Sequence, residues 1–162
     1  MILTSKDGRG GAIFSPCQKY RYALWRDLPK GEGSFVVLGL NPSTADHEQL
    51  DPTCKRLLKR AEKAGCNRYV MLNVFAFRAT DPKVMFRQPD PIGPDNDEYI
   101  KFLTKGAKII VAAWGADVDR RRAEAVCKLI AKPLMCLGRT KDGSPRHPLY
   151  VGYSVGLQEF WP

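Results

Sequence analysis

The sequence lacks the features that would assign it to several large classes of protein. It has no Cys-x-x-Cys pair, and an odd number of cysteines, five, argues against a disulfide framework. No segment approaches the roughly 20 apolar residues of a membrane helix, and the N-terminus lacks a charged-then-apolar signal pattern. We found no internal repeat or low-complexity tract. We therefore expect a cytoplasmic protein that does not contact membranes and keeps its cysteines as thiols in or near the core.

Length and charge limit the architecture and the partners. A chain of 162 residues, 44% of them hydrophobic, is long enough for one ordinary domain without a metal or disulfide support. We expect a monomeric single domain over residues 1–162. The net charge of +9 is spread along the chain. Such a field attracts polyanions, most commonly nucleic acid, although solubility alone also explains a basic composition.

Four apolar runs predict buried strands, and helical patterns lie between them. The runs are residues 34–40, 68–77, 108–115 and 133–138. The helical segments are about 52–64, which Asp51 would cap and Gly65 would end, a segment within 90–107, and about 117–131. This alternation builds a parallel sheet through right-handed crossovers. Before it, "YRYALW" and "AIFS" predict a hairpin or an edge element.

The residues that follow these strands are unusually polar. The four strand exits read "GLNPSTADH", "LNVFAFRATDP", "AWGAD" and "LGRTKDGSPRHPLY", and together they contain both histidines. Ligands of parallel sheets bind beyond the carboxyl ends of the strands, where the loops converge. We therefore expect the chemistry of this protein at these four loops.

Four polar residues at these exits are candidates for catalysis or binding. Asn41 precedes Pro42, and Asn-Pro also terminates strands without any further role. Asn73 lies in an apolar run, so its amide must contact a ligand or a neighbouring loop or cost about 1–3 kcal/mol. His147 is either a functional imidazole or a structural one. Asp46 is either an acid or base or a turn cap.

Aromatic and basic residues at the same loops suggest contacts with a nucleotide. Phe75 and Tyr150 are candidates to stack on an unpaired base, although Phe75 and Phe77 equally suit a core. Four basic residues share the exit loops and are candidates for phosphate binding: Arg78, Arg139, Lys141 and Arg146. The run of arginines at 120–122 predicts a solvated helix face, with phosphate contact as the alternative.

The motifs "NPSTAD", "DPIGPDN", "AWG" and "SPRHPLY" resemble those of a bacterial and phage family of unknown function, over almost the whole chain. More distantly, the chain resembles the uracil-DNA glycosylase superfamily. That resemblance implies a three-layer αβα sandwich in which the central sheet has four mainly parallel strands plus edge strands. It also implies a single uracil-DNA-glycosylase-like domain that binds nucleic acid, DNA above all.

The glycosylase resemblance also implies roles for three residues. "GLNP" at 39–42 is similar to the motif in which an Asn holds the attacking water, which is the role of Asn41. "NVFAFRATDP" at 73–82 is similar to a motif in which Asn73 reads the base edge. "SPRHPLY" places His147 against the base carbonyl. The cysteines do not match an iron–sulfur branch, so we expect no cofactor and no metal. Because an amide cannot act as a general base, catalysis would be slow, restricted to easily lost bases, or absent.

These observations favour a protein that takes a flipped or unpaired base into a pocket, with hydrolysis of an N-glycosidic bond as its reaction if it is an enzyme. One alternative is a module that binds a modified base or a nucleotide without chemistry. Another is a hydrolase of free nucleosides or nucleotides. A third is an interaction protein whose Asn and His residues only close loops.

Overall fold

The four apolar runs form four adjacent parallel strands at the centre of a larger mixed sheet. A computed structural model describes residues 1–162 and contains eight strands. They are β1 (Ile2–Thr4), β2 (Gly10–Phe14), β3 (Arg21–Asp27), β4 (Ser34–Gly39), β5 (Arg68–Asn73), β6 (Ile109–Ala112), β7 (Leu134–Cys136) and β8 (Gln158–Phe160). The spatial order is β1-β2-β3-β5-β4-β6-β7-β8. Strands β5, β4, β6 and β7 are parallel, and the outer strands pair antiparallel on both sides.

The α/β class is confirmed, but the sheet is larger and more mixed than predicted. Four of the seven strand pairings are antiparallel, so a four-stranded, mainly parallel sheet describes only its centre. The predicted hairpin corresponds to β2 and β3. Strands β1 and β8 have three residues each, which is too short for an alternating pattern to reveal them.

Four helices connect the strands, and an aspartate precedes each of them; three of the four aspartates cap their helix through the side chain. They are α1 (Pro52–Lys63), α2 (Pro82–Phe86), α3 (Asn96–Lys105) and α4 (Arg120–Ile130). Asp51 accepts a hydrogen bond from the Cys54 N–H at 2.7 Å, which is the predicted cap of α1. Asp119 caps α4 in the same way. Because that cap lies at residue 119, α4 begins three residues later than the predicted residue 117.

The sheet is covered on both faces because its central strands are apolar on both sides. Val36 and Leu38 of β4 pack in the cluster that contains Ile100 of α3 and Val126 of α4. The alternate β4 residues, including Val37, pack in the second cluster with α1. This arrangement gives three layers, α3 and α4 on one face and α1 on the other. Burial of these side chains stabilises the fold by about 1.5–3 kcal/mol each.

A β-bulge in the β2–β3 hairpin changes the face on which Arg21 lies. Ile13 pairs with Ala23, but the next residue, Phe14, pairs with Arg21, so Tyr22 is the extra residue. Without the bulge, Arg21 would lie on the same face as Ala23, which packs towards α3 and α4. With it, Arg21 shares the α1 face with Phe14.

The cysteines are free thiols, and four of the five are buried, as expected; Cys17 is exposed. No helix in the structure is both long enough and apolar enough to span a membrane.

The arginines of α4 do not form one solvated face. Arg122 is buried and donates two hydrogen bonds to the Asp97 carboxylate of α3, at 2.6 and 3.1 Å. It also donates to the Val74 carbonyl at 2.8 Å. Arg120 is exposed and pairs with Glu124 one turn along. Arg122 therefore connects α3, α4 and the end of β5. The predicted solvent-exposed helix face and the alternative of a phosphate contact are both wrong for this residue.

Candidate functional site

A cleft of about 730 Å³ opens at the carboxyl ends of the parallel strands. Its walls come from all four strand exits, at residues 39–44, 79–82, 113–117 and 140–150, and from the first turn of α1. The chain leaves β4 to form β5 on one side and later crosses to form β6 on the other. A crevice between β4 and β6 is the expected result of that reversal, and parallel sheets bind ligands there.

Asn41 lies on the wall of the cleft and also holds two loops together. Its Nδ2 donates to the carbonyls of Ala79 at 2.8 Å and Pro42 at 3.1 Å. A weaker contact joins it to the Phe77 carbonyl at 3.5 Å. The side chain thus connects the β4 exit to the β5 exit. Its Oδ1 accepts no hydrogen bond from the chain, so the acceptor half of the amide is free for a water or a ligand.

His147 lines the same cleft from the β7 exit as a neutral imidazole. Its Nδ1 accepts a hydrogen bond from the Leu149 N–H at 3.3 Å, which begins a short 3₁₀ helix at Pro148–Tyr150. Because Nδ1 is the acceptor, the proton of the neutral ring belongs on Nε2. Burial lowers the pKa of His147, and the negative charge of Asp51 offsets part of that shift. The ring is therefore a hydrogen-bond donor that remains uncharged at neutral pH.

Tyr150 lies at the rim of the cleft beside His147. The centroids of the two rings are 5.8 Å apart, and Tyr150 is 82% exposed. Trp114, at the β6 exit, lines the cleft but is nearly fully buried, and it packs edge-on against Phe160. Tyr150 is therefore the aromatic side chain of this cleft that is free to stack on a ligand.

Two of the predicted base-binding residues do not reach the cleft wall. Asn73 is 1% exposed, and its Oδ1 is buried without a partner. The amide lies beside Gly39, since a Cβ atom built on Gly39 would be 3.3 Å from that oxygen. Phe75 lies in the core beneath α3 and α4, where it contacts Phe86 edge-on. Asn73 shares the face of β5 that carries the cleft-lining Met71, but its amide is covered there, whereas Phe75 lies beyond the end of β5 and packs on the other face of the sheet.

Asp46 also lies outside the cleft. Its carboxylate accepts hydrogen bonds from the backbone N–H groups of Glu48 and Gln49, both at 2.8 Å. Burial raises the pKa of Asp46, but these hydrogen bonds and the nearby charges of His47 and Arg26 outweigh burial and lower it. The residue closes a turn, which is the alternative interpretation of its sequence context.

Of the four predicted phosphate contacts, the cleft brings in one. Arg146 is exposed and lines the cleft, with its Nε donating to the Arg139 carbonyl. Arg139 itself donates to the Trp161 carbonyl at 3.0 Å, and Arg78 donates to the Gln18 carbonyl at 3.1 Å. Lys141 is exposed near the same hairpin but does not line the cleft. Three of these cations therefore lie around the opening or on neighbouring loops.

Arg21 is the residue of the cleft that the sequence patterns did not reveal. It lines the cleft although it is only 2% exposed, and its Nη1 donates to the Ala45 carbonyl. Its Nε has no partner, and no carboxylate lies within 4 Å of the guanidinium. Burial lowers the pKa of Arg21. The alternation of "YRYALW" gives no sign of this position, because the bulge sets it.

Two carboxylates complete the polar lining. Asp51 lines the cleft as well as capping α1, and Asp117 is an exposed residue of the β6 exit. No group of three or more His, Cys, Asp or Glu side chains is arranged to hold a metal ion. The cleft thus offers donors from Arg21 and His147, an acceptor from Asn41, and two carboxylates.

Comparison with known proteins assigns the chain to a family whose function is unknown. No curated protein and no solved structure matches the chain. A family model described as "Protein of unknown function (DUF1643)" matches residues 21–149, which include every cleft-lining residue except Tyr150. The match covers more than half of the sequence, and the chain therefore belongs to this family of proteins of unknown function.

Proposed function

We propose that this protein takes an unpaired or extruded nucleobase of a nucleic acid, DNA in particular, into the cleft, as proteins of the uracil-DNA glycosylase superfamily do. The observation that carries the proposal is the neutral His147 donor and the free Asn41 acceptor in one cleft at the ends of the parallel strands. A nucleobase presents carbonyl acceptors and N–H donors along one edge. These two side chains supply the complementary pair.

The shape and charge of the cleft support the same function. A volume of about 730 Å³ lies within the range of about 300–1,000 Å³ for small-ligand sites. Tyr150 at the rim provides a face for stacking, which is worth about 1–3 kcal/mol per base. The net charge of +9 favours association with a polyanion. A base must leave the duplex to enter such a cleft.

If the protein is an enzyme, its reaction is hydrolysis of the N-glycosidic bond. A water oxygen bonds to the anomeric carbon, the carbon–nitrogen bond breaks, and its electron pair leaves with the base. His147 then donates a hydrogen bond to the base carbonyl as negative charge develops there. Asn41 orients the water, and the Asp51 carboxylate faces the positive charge that develops on the sugar. Asn41 cannot take the proton of the water, whereas a carboxylate can.

A second candidate is a module that binds a base without chemistry. The engagement of Asn41 Nδ2 by loop carbonyls favours this candidate, because that engagement gives the residue a structural use. Binding without cleavage would then depend on His147 and Tyr150 but would leave the glycosidic bond intact.

Incubation with single- and double-stranded oligonucleotides that carry uracil, mismatched or damaged bases tests the proposal. Alkali-labile abasic sites that form with the wild type and not with His147→Ala support the enzyme. Salt-sensitive retention of the oligonucleotide without abasic sites supports the binding module. The matched control is His47→Ala, which changes the other histidine, outside the cleft. No retention and no cleavage across the panel would refute both candidates.

A further inference from the structure

The guanidinium of Arg21 is a buried cation without an anion beside it. Arg21 is 2% exposed and no carboxylate lies within 4 Å of it. Its one hydrogen bond goes from Nη1 to the Ala45 carbonyl, and its Nε is buried and unpartnered. Removal of an ion from water without a counter-ion is strongly unfavourable. The side chain lines the cleft, so an anion that enters the cleft can supply the missing partner.

The first turn of α1 presents a second feature that favours anions at the same place. Pro52, Thr53 and Cys54 line the cleft together with Arg21. The N-terminus of a helix carries about half a positive charge and unpaired N–H groups. Asp51 accepts from the Cys54 N–H, whereas the Thr53 N–H has no partner in the chain. This helix has twelve residues, and its N-terminus joins a buried, unpartnered guanidinium.

Hydroxyl groups and opposing charges define which anion fits. Ser43, Thr44 and Thr53 line this side of the cleft and provide hydroxyl donors. Burial lowers the pKa of Arg21, and the charge of the nearby Asp51 carboxylate raises it. The same carboxylate repels an anion that enters the cleft. An anion must therefore collect several hydrogen bonds at once to displace water here. Phosphate has enough oxygens for Arg21, a helix N-terminus and a hydroxyl together.

We infer that Arg21 and the first turn of α1 form a phosphate subsite inside the cleft. This inference rests on the proposed function, because the phosphate it binds is the one attached to the nucleoside whose base contacts His147 and Asn41. The bulge in β3 and the cap of α1 build the subsite. It is distinct from the exposed cations Arg139 and Lys141, which lie outside the cleft, and from the exposed Arg146 on the cleft wall.

Inorganic phosphate is the first probe, because its binding does not depend on the base. Titration followed by ³¹P NMR line width and by thermal shift is expected to show saturable binding to the wild type, with sulfate competing and chloride not. The 5′-monophosphates of the common nucleosides and of deoxyuridine are expected to bind at least tenfold more tightly than the matching nucleosides. A phosphodiester within an oligonucleotide that binds as well as the monophosphate identifies a strand as the source of the phosphate. Preference for the monophosphate identifies a free nucleotide.

Two variants test whether Arg21 and the first turn of α1 bind the phosphate. Arg21→Met removes the charge at similar length, and its fold is checked by circular dichroism. Thr53→Asp places a negative charge at a helix N-terminus, where the helix dipole favours it, so this variant is expected to fold. Both are expected to lose phosphate binding at least tenfold. Thr4→Asp is the matched control, since it makes the same charge change on the exposed edge strand β1.

The outcomes separate the subsite from the proposed function. Phosphate binding that Thr53→Asp abolishes, with no binding of any base or oligonucleotide, upholds the subsite and refutes the base pocket. Nucleoside binding with no gain from the phosphate, unchanged in Thr53→Asp, upholds the pocket and overturns the subsite. Phosphate binding that is equal in the wild type, Thr53→Asp and Thr4→Asp also overturns the subsite.

Discussion

Removal of the Arg122 guanidinium tests whether the two helices on one face of the sheet are held by a single buried cation. In Arg122→Met the aliphatic part of the side chain stays, but two hydrogen bonds to Asp97 and those to the Val74 carbonyl are lost. Loss of one partner of a buried ion pair costs about 3–5 kcal/mol. The Asp97 side chain is 40% exposed and the Val74 carbonyl keeps a contact from Asn96. We therefore expect the lower end, about 3 kcal/mol.

Urea unfolding followed by circular dichroism measures this cost, and Arg120→Met is the matched control on the same helix. Arg120 pairs with Glu124 at 2.7 Å, but its side chain is 81% exposed, so we expect a loss of about 0.3–0.5 kcal/mol. A cost of about 3 kcal/mol corresponds to a fall in Tm of about 6–12 °C for a chain of this length. The double variant Arg122→Met with Asp97→Asn is expected to recover part of the loss, because it removes the stranded charge.

Equal effects of Arg122→Met and Arg120→Met would refute the reasoning, since the buried Arg122 bonds to another helix and to the Val74 carbonyl, whereas the exposed Arg120 pairs only within its own helix. A double variant that is no more stable than Arg122→Met would show that the unpaired Asp97 carboxylate does not cause the loss of stability. The lost hydrogen bonds to the Val74 carbonyl would then be its source.

The remaining predictions concern pH, backbone strain and the floor of the cleft. Burial lowers the pKa of His147 from its ordinary value of 6.5, so the unfolded state binds more protons, and the free energy of unfolding should fall as the pH drops from 6.5 through the folded pKa. Urea unfolding at pH 8 and 5.5 should show a smaller fall in this free energy for His147→Gln than for the wild type. An identical fall in the two proteins would contradict the assignment. Ala131 ends α4 in the left-handed region, with φ at 50°, so Ala131→Gly should stabilise the protein by about 1 kcal/mol. The same change at the exposed Ala125 within the helix should destabilise the protein by about the same amount. A lower Tm for both variants would show that the backbone at Ala131 is not strained. A methyl group at Gly39 would lie 2.5 Å from Met71 Cε, the end of a flexible side chain that can move aside. Gly39→Ala should therefore cost less than about 1 kcal/mol of stability, below the usual range for overpacking, but should weaken phosphate and base binding by crowding the cleft. Calorimetry that finds wild-type affinity would show that the cleft lies elsewhere.

The parts of the fold with strong local signals could be predicted from the sequence. Each central strand is an apolar run of about the right length, because both of its faces are covered. Helix α1 has Asp51 before its first turn and Gly65 just after its last. Strands β1 and β8 could not be predicted, since three residues carry no period and the pairing partner decides whether they form.

The candidate site was predictable in its location and less so in its residues. The strand exits meet at one cleft, as the parallel order requires, and Asn41, His147, Tyr150 and Arg146 line it. Asn73 lies beside Gly39 on the face of the sheet that carries the cleft, but its amide is covered, and no local pattern reveals that covering. A register shift between two strands brings Arg21 into the cleft, and no local pattern encodes that shift.

The measurement that tests the central claim most directly is a crystal structure of the protein soaked with nucleobases and nucleoside monophosphates at saturating concentration. The account predicts density for a planar ring between Asn41 and His147, with the His147 Nε2 within hydrogen-bond distance of a base carbonyl. It also predicts that His147→Ala loses this density while the cleft keeps its shape. Density only outside the cleft, or a ring bound equally well without the imidazole, would contradict the account.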